Sequence, residues 1–237
     1  MRVFALSDLH LGFMVNKTMD IFGDEWIDHP GKIRSAWERL VAPEDVVLVP
    51  GDISWAMNLA QAEEDLGFLQ RLPGTKYVCK GNHDYWWQSP ARMAGLLGDR
   101  VHPLQNDAAD LGPFVLAASR GWSAPLWEGF REETDGRVYR RELQRMDLAL
   151  EKASRFPGKP LVYMMHYPPV VEGRPTAFAE KLSAAGVVIC VYGHLHREKE
   201  WPPLVNTEFR GTRFRLVSAD FLGFAPLDIT KEVLGCC

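Results

Sequence analysis

The position of the aspartate, asparagine and histidine residues relative to short apolar runs constrains this chain more than any other feature. Five runs of mostly β-branched and other apolar residues are each followed closely by such side chains. Runs of this kind are typical of buried strands. The carboxyl ends of parallel strands meet at one edge of a sheet, where open α/β sheets bind their ligands. The runs and the residues after them are 3–6 with Asp8 and His10, 46–49 with Asp52, 76–79 with Asn82, His83 and Asp84, 161–165 with His166, and 187–191 with His194 and His196.

Helical patterns separate these runs. Residues 30–40 begin with a proline, residues 59–72 end before the breaker pair Pro73-Gly74, and residues 132–156 repeat apolar side chains at three- and four-residue intervals. A further apolar run at 115–118 also predicts a strand. Alternating strands and helices predict the α/β class.

The last fifth of the chain has a different pattern. Residues 207–210 and 212–217 lie on either side of Gly211 and predict an antiparallel hairpin. A plain parallel sheet does not accommodate such a hairpin, so we expect sheets of mixed direction. No linker or internal repeat interrupts the chain, which predicts a single domain over residues 1–237.

Five of the seven histidines fall in the motifs at the strand ends. A lone histidine is more often a structural residue, and we expect that role for His29 and His102, which lie beside prolines in predicted loops. Several histidines at matching strand ends, together with carboxylates and an amide, favour a metal site instead. Alternate side chains of a strand point the same way, so Asp-x-His and His-x-His can each chelate one ion. A ligand set without thiolate suits catalytic Mn, Fe or Zn.

Composition narrows the function classes. The chain of 237 residues is 46% hydrophobic and 24% charged, as in globular proteins, and its net charge is −4. An acidic balance argues against a broad nucleic-acid surface. No apolar run approaches the ~20 residues of a membrane span, and the start of the chain does not resemble a signal peptide, so we expect a cytoplasmic protein that contacts no membrane. The four cysteines form no CxxC pair.

The order Asp-x-His, Gly-Asp, Gly-Asn-His-Asp, His and Gly-His-x-His, from Asp8 to His196, resembles the calcineurin-like metallophosphoesterases. The sequence around these motif blocks resembles that of a bacterial branch of predicted phosphohydrolases. The resemblance implies a four-layer α-β-β-α sandwich, in which two mixed β-sheets are flanked by helices. It also implies two divalent ions per chain, with Mn favoured.

Each motif block implies a role for its residues. The resemblance places one ion on Asp8, His10, Asp52 and His196, and the second on Asp52, Asn82, His166 and His194, with Asp52 bridging. Two such ions can share a hydroxide that attacks the phosphoester in line. Asn82 is also expected to contact substrate. In the family, the residue at the position of His83 protonates the leaving oxygen or hydrogen-bonds the phosphoryl group.

The chain departs from the phosphoprotein phosphatases of this superfamily at two positions. Their Asp-Arg pair after the Gly-Asp block is replaced by Trp55 and Ala56, so the carboxylate that supports His83 and the clamping arginine are both missing. This disfavours protein phosphatase activity. Arg120 and Arg197 are candidate substitutes that would bind the substrate phosphate, although each also fits a solvated surface arginine.

The resemblance favours hydrolysis of a small phosphomonoester or phosphodiester, such as a nucleotide. A nuclease on the same scaffold and a non-catalytic, metal-binding interaction protein are the alternatives. Residues 13–28 and 121–131 carry weak patterns and predict loops over the site. Tryptophans near these loops (Trp55, Trp86, Trp87, Trp122 and Trp127) either stack on a flat substrate group or pack beneath the loops. The oligomeric state leaves no signal in the sequence.

Overall fold

The protein is described here by a computed structural model that covers residues 1–15, 17–196 and 206–235. Strands and helices alternate through most of it. The strands are β1 (Val3–Ala5), β2 (Val46–Val49), β3 (Thr75–Val78), β4 (Val101–Pro103), β5 (Asp107–Asp110), β6 (Val115–Ser119), β7 (Leu161–Met165), β8 (Val170–Val171), β9 (Arg174–Pro175), β10 (Val187–Tyr192), β11 (Thr207–Phe209), β12 (Thr212–Leu216) and β13 (Leu227–Asp228). The α-helices are α1 (His29–Leu40), α2 (Leu59–Arg71), α3 (Pro90–Leu97), α4 (Arg137–Ala153), α5 (Ala177–Ala184) and α6 (Thr230–Leu234).

Two large mixed sheets contain most of these strands. The first has the order β13-β1-β2-β3-β4, in which β13 alone runs antiparallel to its neighbour. The second has the order β11-β12-β10-β7-β6-β5, with a parallel centre and an antiparallel strand at each edge. The parallel strands of each sheet therefore end at a common edge.

Apolar side chains alternate between the two faces of each sheet, and this alternation makes the layers. Val3 and Leu48 of the first sheet share a buried cluster with Leu116 and Val162 of the second, so the two sheets pack face to face. The outer face of the first sheet packs against α1, α2 and α3, and that of the second against α4 and α5. The structure is a four-layer α-β-β-α sandwich, as expected.

Local signals explain several helix ends. The Asn58 side chain accepts a hydrogen bond from the Gln61 amide at 3.1 Å and caps the start of α2, which ends two residues before Pro73. The helix predicted over 132–156 is divided, because residues Glu132–Gly136 form a π-helical turn before α4 begins.

The predicted hairpin is present as β11 and β12. Arg210 and Gly211 connect the strands and both have positive φ, of 49° and 83°, as in a two-residue type I′ turn. In the part of the chain that the structure describes, no helix combines the length and apolar character that a membrane crossing would need.

Candidate metal centre

The strand ends bring seven predicted metal-ligand side chains into one cluster. The residues follow strands of both sheets, so the cluster forms where the carboxyl edges of the sheets meet. In each of two groups of residues, the carboxylate and imidazole donor atoms all lie within 4.8 Å of one another. One group is Asp8, His10 and His196, and the other is Asp8, Asp52 and His166. The seven side chains are Asp8 and His10 after β1, Asp52 after β2, Asn82 after β3, His166 after β7, and His194 and His196 after β10.

Asp52 lies between two sets of donor atoms. Its Oδ2 atom is 3.8 Å from Nε2 of His10 and 3.4 Å from Nε2 of His166. Its Oδ1 atom accepts a hydrogen bond from the His83 amide at 2.8 Å, which fixes the carboxylate relative to the loop after β3.

The first set of donors surrounds the Nε2 atom of His196. This atom is 3.2 Å from Nε2 of His10 and 3.4 Å from Oδ1 of Asp8. On the other side of the same ring, Nδ1 lies 3.2 Å from Oδ1 of Asp220. The hydroxyls of Ser7 and Ser218 donate hydrogen bonds to Oδ2 of Asp8 and hold that carboxylate in place.

The second set of donors converges on the Asn82 amide oxygen. This oxygen lies 2.6 Å from Nε2 of His166 and 2.9 Å from Nδ1 of His194, and the two imidazole nitrogens are 3.2 Å apart. The other ring nitrogen of His166, Nδ1, lies 3.1 Å from the Pro50 carbonyl, to which it can donate. That hydrogen bond leaves Nε2 as an acceptor facing the cluster.

The backbone at these strand ends is left-handed. Asp8, His10, Asp52 and His194 have φ values of 58°, 44°, 51° and 77°. Such conformations cost roughly 1–3 kcal/mol each for residues with a side chain and concentrate at functional sites. At Gly193, a Cβ atom would overlap the carboxylate of Asp8, so only glycine fits there.

Asp84 connects two of the loops that carry the cluster. Its buried carboxylate accepts hydrogen bonds from the amides of Asp52, Ile53 and Gly81 at 3.0, 2.9 and 2.7 Å. It also accepts from the Trp86 indole at 3.0 Å. Asp84 thus connects the loops after β2 and β3 and holds them in place.

Burial and charge set the protonation states of the cluster. Burial lowers the pKa of His10, His166 and His194, that of His166 to about 4, so these rings are neutral and able to coordinate. Burial and the neighbouring carboxylates of Asp84 and Asp8 raise the pKa of Asp52. Burial opposes protonation of His196, but hydrogen bonds to Asp220 and Asp8 raise its pKa to about 10.

The donor set fits divalent cations. Two pairs of imidazole nitrogens face each other at 3.2 Å, and the described ion pairs of Asp8 and Asp52 involve histidines alone. Buried carboxylates without a lysine or arginine partner are costly unless a cation compensates them. Carboxylate, imidazole and amide donors at such spacing suit Mn, Fe or Zn.

The imidazole of His83 lies at the edge of the cluster against Trp55. Their ring centroids are 4.3 Å apart, and the His10 ring stacks on the same indole at 4.7 Å. The Lys17 ammonium is 3.2 Å from the Trp55 ring centroid. Burial and then the charge of Lys17 lower the pKa of His83 to about 4. Among the described residues, no carboxylate hydrogen-bonds to the His83 ring.

A cavity of about 380 Å³ opens onto the cluster. Four imidazoles line it, those of His10, His83, His194 and His196. The segment 13–28, which was predicted as a loop over the site, contributes Met19, Phe22, Glu25 and Trp26 to the lining and contains two short 3-10 turns. The segment 121–131 also approaches the cluster, because the Trp127 ring lies 6.4 Å from that of His194.

Comparison with known proteins gives the family. A model described as calcineurin-like phosphoesterase matches residues 1–198. The chain belongs to the calcineurin-like phosphoesterase family. The resemblance drawn from the motifs is therefore confirmed, and the family acts by metal-dependent hydrolysis of phosphoesters.

Two phage proteins are similar to part of this calcineurin-like phosphoesterase. The Gene 66 protein of Mycobacterium phage D29 is 36% identical over 111 residues, which cover 46% of this chain and 46% of that protein. The Gene 66 protein of Mycobacterium phage L5 is 33% identical over 78 residues, which cover 33% of this chain and 37% of that protein. The matches span less than half of either relative.

Two crystal structures show the same fold. A protein of unknown function from Aquifex aeolicus has a TM-score of 0.53 at 14% identity, covering 95% of this chain and 94% of its own. Phosphopantetheinyl hydrolase from Mycobacterium tuberculosis has a TM-score of 0.58 at 18% identity, covering 92% of this chain and 88% of its own.

The two predicted phosphate-binding arginines of this phosphoesterase differ in what the structure shows. The Arg120 guanidinium lies 3.4 Å from the buried Glu142 carboxylate and 4.8 Å from the Trp122 ring, and its Nε is buried without a hydrogen-bond partner among the described groups. Its main chain is closer to the cluster, because its carbonyl accepts the His166 amide at 3.1 Å. Arg197 lies outside the described residues.

Sequence reasoning missed two residues of the site and misplaced two histidines. Asp220 and Trp26 belong to no motif, and only the folded chain brings them to the cluster. His29 is the first residue of α1 and His102 lies on β4, so neither is in a loop. His29 is nevertheless structural, since its ring contacts the backbone carbonyls of Trp26 and His10.

Proposed function

We propose that this protein hydrolyses a small phosphomonoester or phosphodiester with two divalent ions, and that Asp52 bridges them. The observation that carries the proposal is the position of Asp52 Oδ2 between His10 Nε2 at 3.8 Å and His166 Nε2 at 3.4 Å. A single carboxylate between two separate donor sets is what a two-metal centre requires.

The two donor sets suggest how the ligands divide. The contacts of His196 support one ion on Asp8, His10, Asp52 and His196. The convergence on the Asn82 oxygen supports a second ion on Asp52, Asn82, His166 and His194. We propose Mn as the native metal.

When bound, the ions would supply Lewis acidity, which lowers the pKa of water and offsets the charge of the phosphoryl group. The residues of the chain do the rest. Asp52 and Asn82 hold the reacting group between the two loops that Asp84 braces. The neutral His83 ring donates a hydrogen bond to a phosphoryl oxygen, and the anionic substrate raises its pKa so that it can protonate the leaving oxygen.

Lys17 supplies a cation near His83, where the arginine of the phosphoprotein phosphatases is missing. Its ammonium rests over Trp55, one of the two residues that replace the Asp-Arg pair, and its charge acts on the His83 ring. We assign Lys17 to binding the substrate phosphate. Arg120 and Arg197 remain predicted contributors to the same task.

A nuclease and a non-catalytic metal-binding protein are the weaker candidates. The net charge of −4 does not favour long nucleic acids, and loss of catalysis would not be expected to leave a full set of donors in place. The two large sheets share one buried cluster, which supports a single domain.

The test compares two substrates on one sample. Metal-stripped protein is reloaded with Mn, the bound metal is counted, and release from p-nitrophenyl phosphate and bis-p-nitrophenyl phosphate is measured. A phosphopantetheinyl ester is added because a neighbour of the same fold is named as its hydrolase. Two ions per chain with turnover on the monoester or the diester supports the proposal and identifies the ester class. Fewer than two ions, or two ions without turnover on any substrate, contradicts it.

A further inference from the structure

The walls of the cavity differ sharply in chemistry. Apart from the four imidazoles, the lining residues are Met19, Phe22, Glu25, Trp26 and Trp55, of which Glu25 alone is ionisable. No lysine or arginine among the described residues lines this cavity, and Lys17, which the proposed function assigns to the phosphate, lies next to it against Trp55. A phosphoryl group at the imidazoles therefore has its organic group against an apolar wall and beside a carboxylate. That wall suits an uncharged organic group and repels a second anionic group.

The indoles in this wall are not open for stacking. Trp55 is 8% exposed, with His10 stacked on it at 4.7 Å and Lys17 at 3.2 Å from its centroid. Trp26 is 2% exposed and makes edge contacts with His196 and Phe224. A nucleobase would need a free ring face. Both tryptophans instead act as packed walls, which favours an aliphatic group in the cavity.

Exposed apolar side chains lie on the segment that supplies most of this wall. Five of the ten large apolar side chains that are exposed in the described part of the chain belong to residues 13–28. Phe22 lines the cavity, and Phe13 and Ile27 line an adjoining depression that shares His10, Met19 and Trp26 with it. We call these three residues, together with Ile21 beside Phe22, the apolar rim. Exposed apolar side chains that gather at a cavity mark a binding region.

We infer that the natural substrate is a phosphoester of an uncharged aliphatic chain, which leaves the cavity past Phe22 and lies along the apolar rim. The inference rests on the proposed function. Phe22 joins the two regions, since it lines the cavity and is 60% exposed. The segment 13–28 carries Asp20, Asp24, Glu25 and Asp28 against the single cation Lys17, which further excludes anionic organic groups from the rim.

The test measures binding, so that it does not depend on turnover. Butyl-, hexyl- and octylphosphonate are titrated calorimetrically into Mn-loaded protein. We expect the dissociation constant to fall about threefold for each added methylene, because each methylene group buries most of its surface against the apolar wall. An octyl chain that ends in a carboxylate should bind at least about tenfold more weakly than octylphosphonate, because its charge must leave water at an apolar rim.

Two variants and a matched control locate the effect. Ile21→Ser and Phe22→Ser should flatten the dependence on chain length, because both side chains are exposed and belong to the rim. Leu148→Ser should retain it, because Leu148 is 51% exposed on α4, away from the cavity. Equal affinity for all three phosphonates would overturn the inference, as would tighter binding of adenosine 5′-monophosphate than of octylphosphonate. Failure of the nitrophenyl ester assay with a normal phosphonate series would instead count against the proposed function alone.

Discussion

The carboxylate of Asp220 lies 3.2 Å from Nδ1 of His196, while Nε2 of the same ring lies 3.4 Å from Asp8. A carboxylate behind a ligand imidazole fixes its orientation and makes it a better donor. Asp220→Asn should therefore weaken binding of one Mn ion by about 10- to 100-fold. Calorimetric titration with Mn checks this, and Asp147→Asn, at an exposed ion pair with Lys181, is the matched control. Unchanged affinity would show that Asp220 does not orient the ligand.

Asp52→Asn should affect both ions. The variant replaces the carboxylate that lies between the two donor sets with a neutral amide. We expect metal content to fall from two ions per chain to less than one, and turnover to fall at least about a hundredfold, since the ions provide most of the electrostatic stabilisation. Elemental analysis and ester hydrolysis on one sample test this. A variant with two ions and full activity would refute the site assignment.

His83→Ala should separate catalysis from metal binding. His83 lies beside the cluster but is absent from both groups of candidate ligand atoms. Metal content should stay unchanged while kcat falls by roughly 10²- to 10⁴-fold. The loss should be larger for phenyl phosphate than for p-nitrophenyl phosphate, because phenolate is the poorer leaving group and needs the proton more. His102→Ala on β4 is the control. An equal loss for both esters would remove the acid role.

Lys17→Met should weaken substrate binding. The ammonium of Lys17 is placed over Trp55 near His83, and methionine keeps much of the apolar stem without the charge. Loss of one charge-assisted contact to phosphate should raise KM about tenfold, with a smaller change in kcat. Lys17→Arg should restore most of the affinity. If KM were the same in the wild-type protein and Lys17→Met, Lys17 would not contact the phosphate.

Lys76 should make the free energy of unfolding depend on pH in the alkaline range. It is fully buried on β3, its ammonium donates to the Leu72 and Gly74 carbonyls at 2.6 and 2.9 Å, and burial lowers its pKa from 10.5 to about 8. Between those pH values the unfolded chain holds more protons than the native state, so the free energy of unfolding rises with pH.

Lys76→Met serves as the reference, because it lacks this titration and shares the others. From pH 7 to 10.5, the wild-type protein should gain on the order of 3 kcal/mol of stability relative to the variant. Urea unfolding at both pH values measures the difference in the free energy of unfolding between the two proteins. A difference that does not change with pH would mean that Lys76 titrates normally in the folded protein.

Much of the fold could be predicted because its signals are local. The buried strands are short apolar runs, and β2 and β7 have the predicted bounds. The hairpin around Gly211 follows from two adjacent residues at a turn. β1 ends one residue earlier than predicted, and α4 begins five residues later and ends three residues earlier than the predicted 132–156. Hydrogen bonds to neighbouring strands and the π-helical turn at 132–136 depend on the folded chain, so local signals do not fix these ends.

The site could be predicted only as far as its motifs reach. The residues at the strand ends lie together because parallel strands share an edge. Asp220 sits on a loop after β12 and reaches His196 through tertiary packing, which no spacing rule describes. The contact of Lys17 with Trp55 likewise joins residues 38 positions apart. For Trp86, the sequence left open whether it stacks on a substrate group or packs beneath the loops; it is fully buried in the core, so packing explains it.

The brace at Asp84 has a consequence for how this enzyme could diversify. Asp84, Ser7 and Ser218 hold the metal-ligand loops from within the sandwich, and none of them lies on the segment 13–28. The exposed side chains of that segment, such as Ile21 and Phe22, can therefore change while the metal ligands stay in place. Lys17 and Trp26 of the same segment contact Trp55 and the ligand His196, so a graft that changes the substrate must keep these two residues.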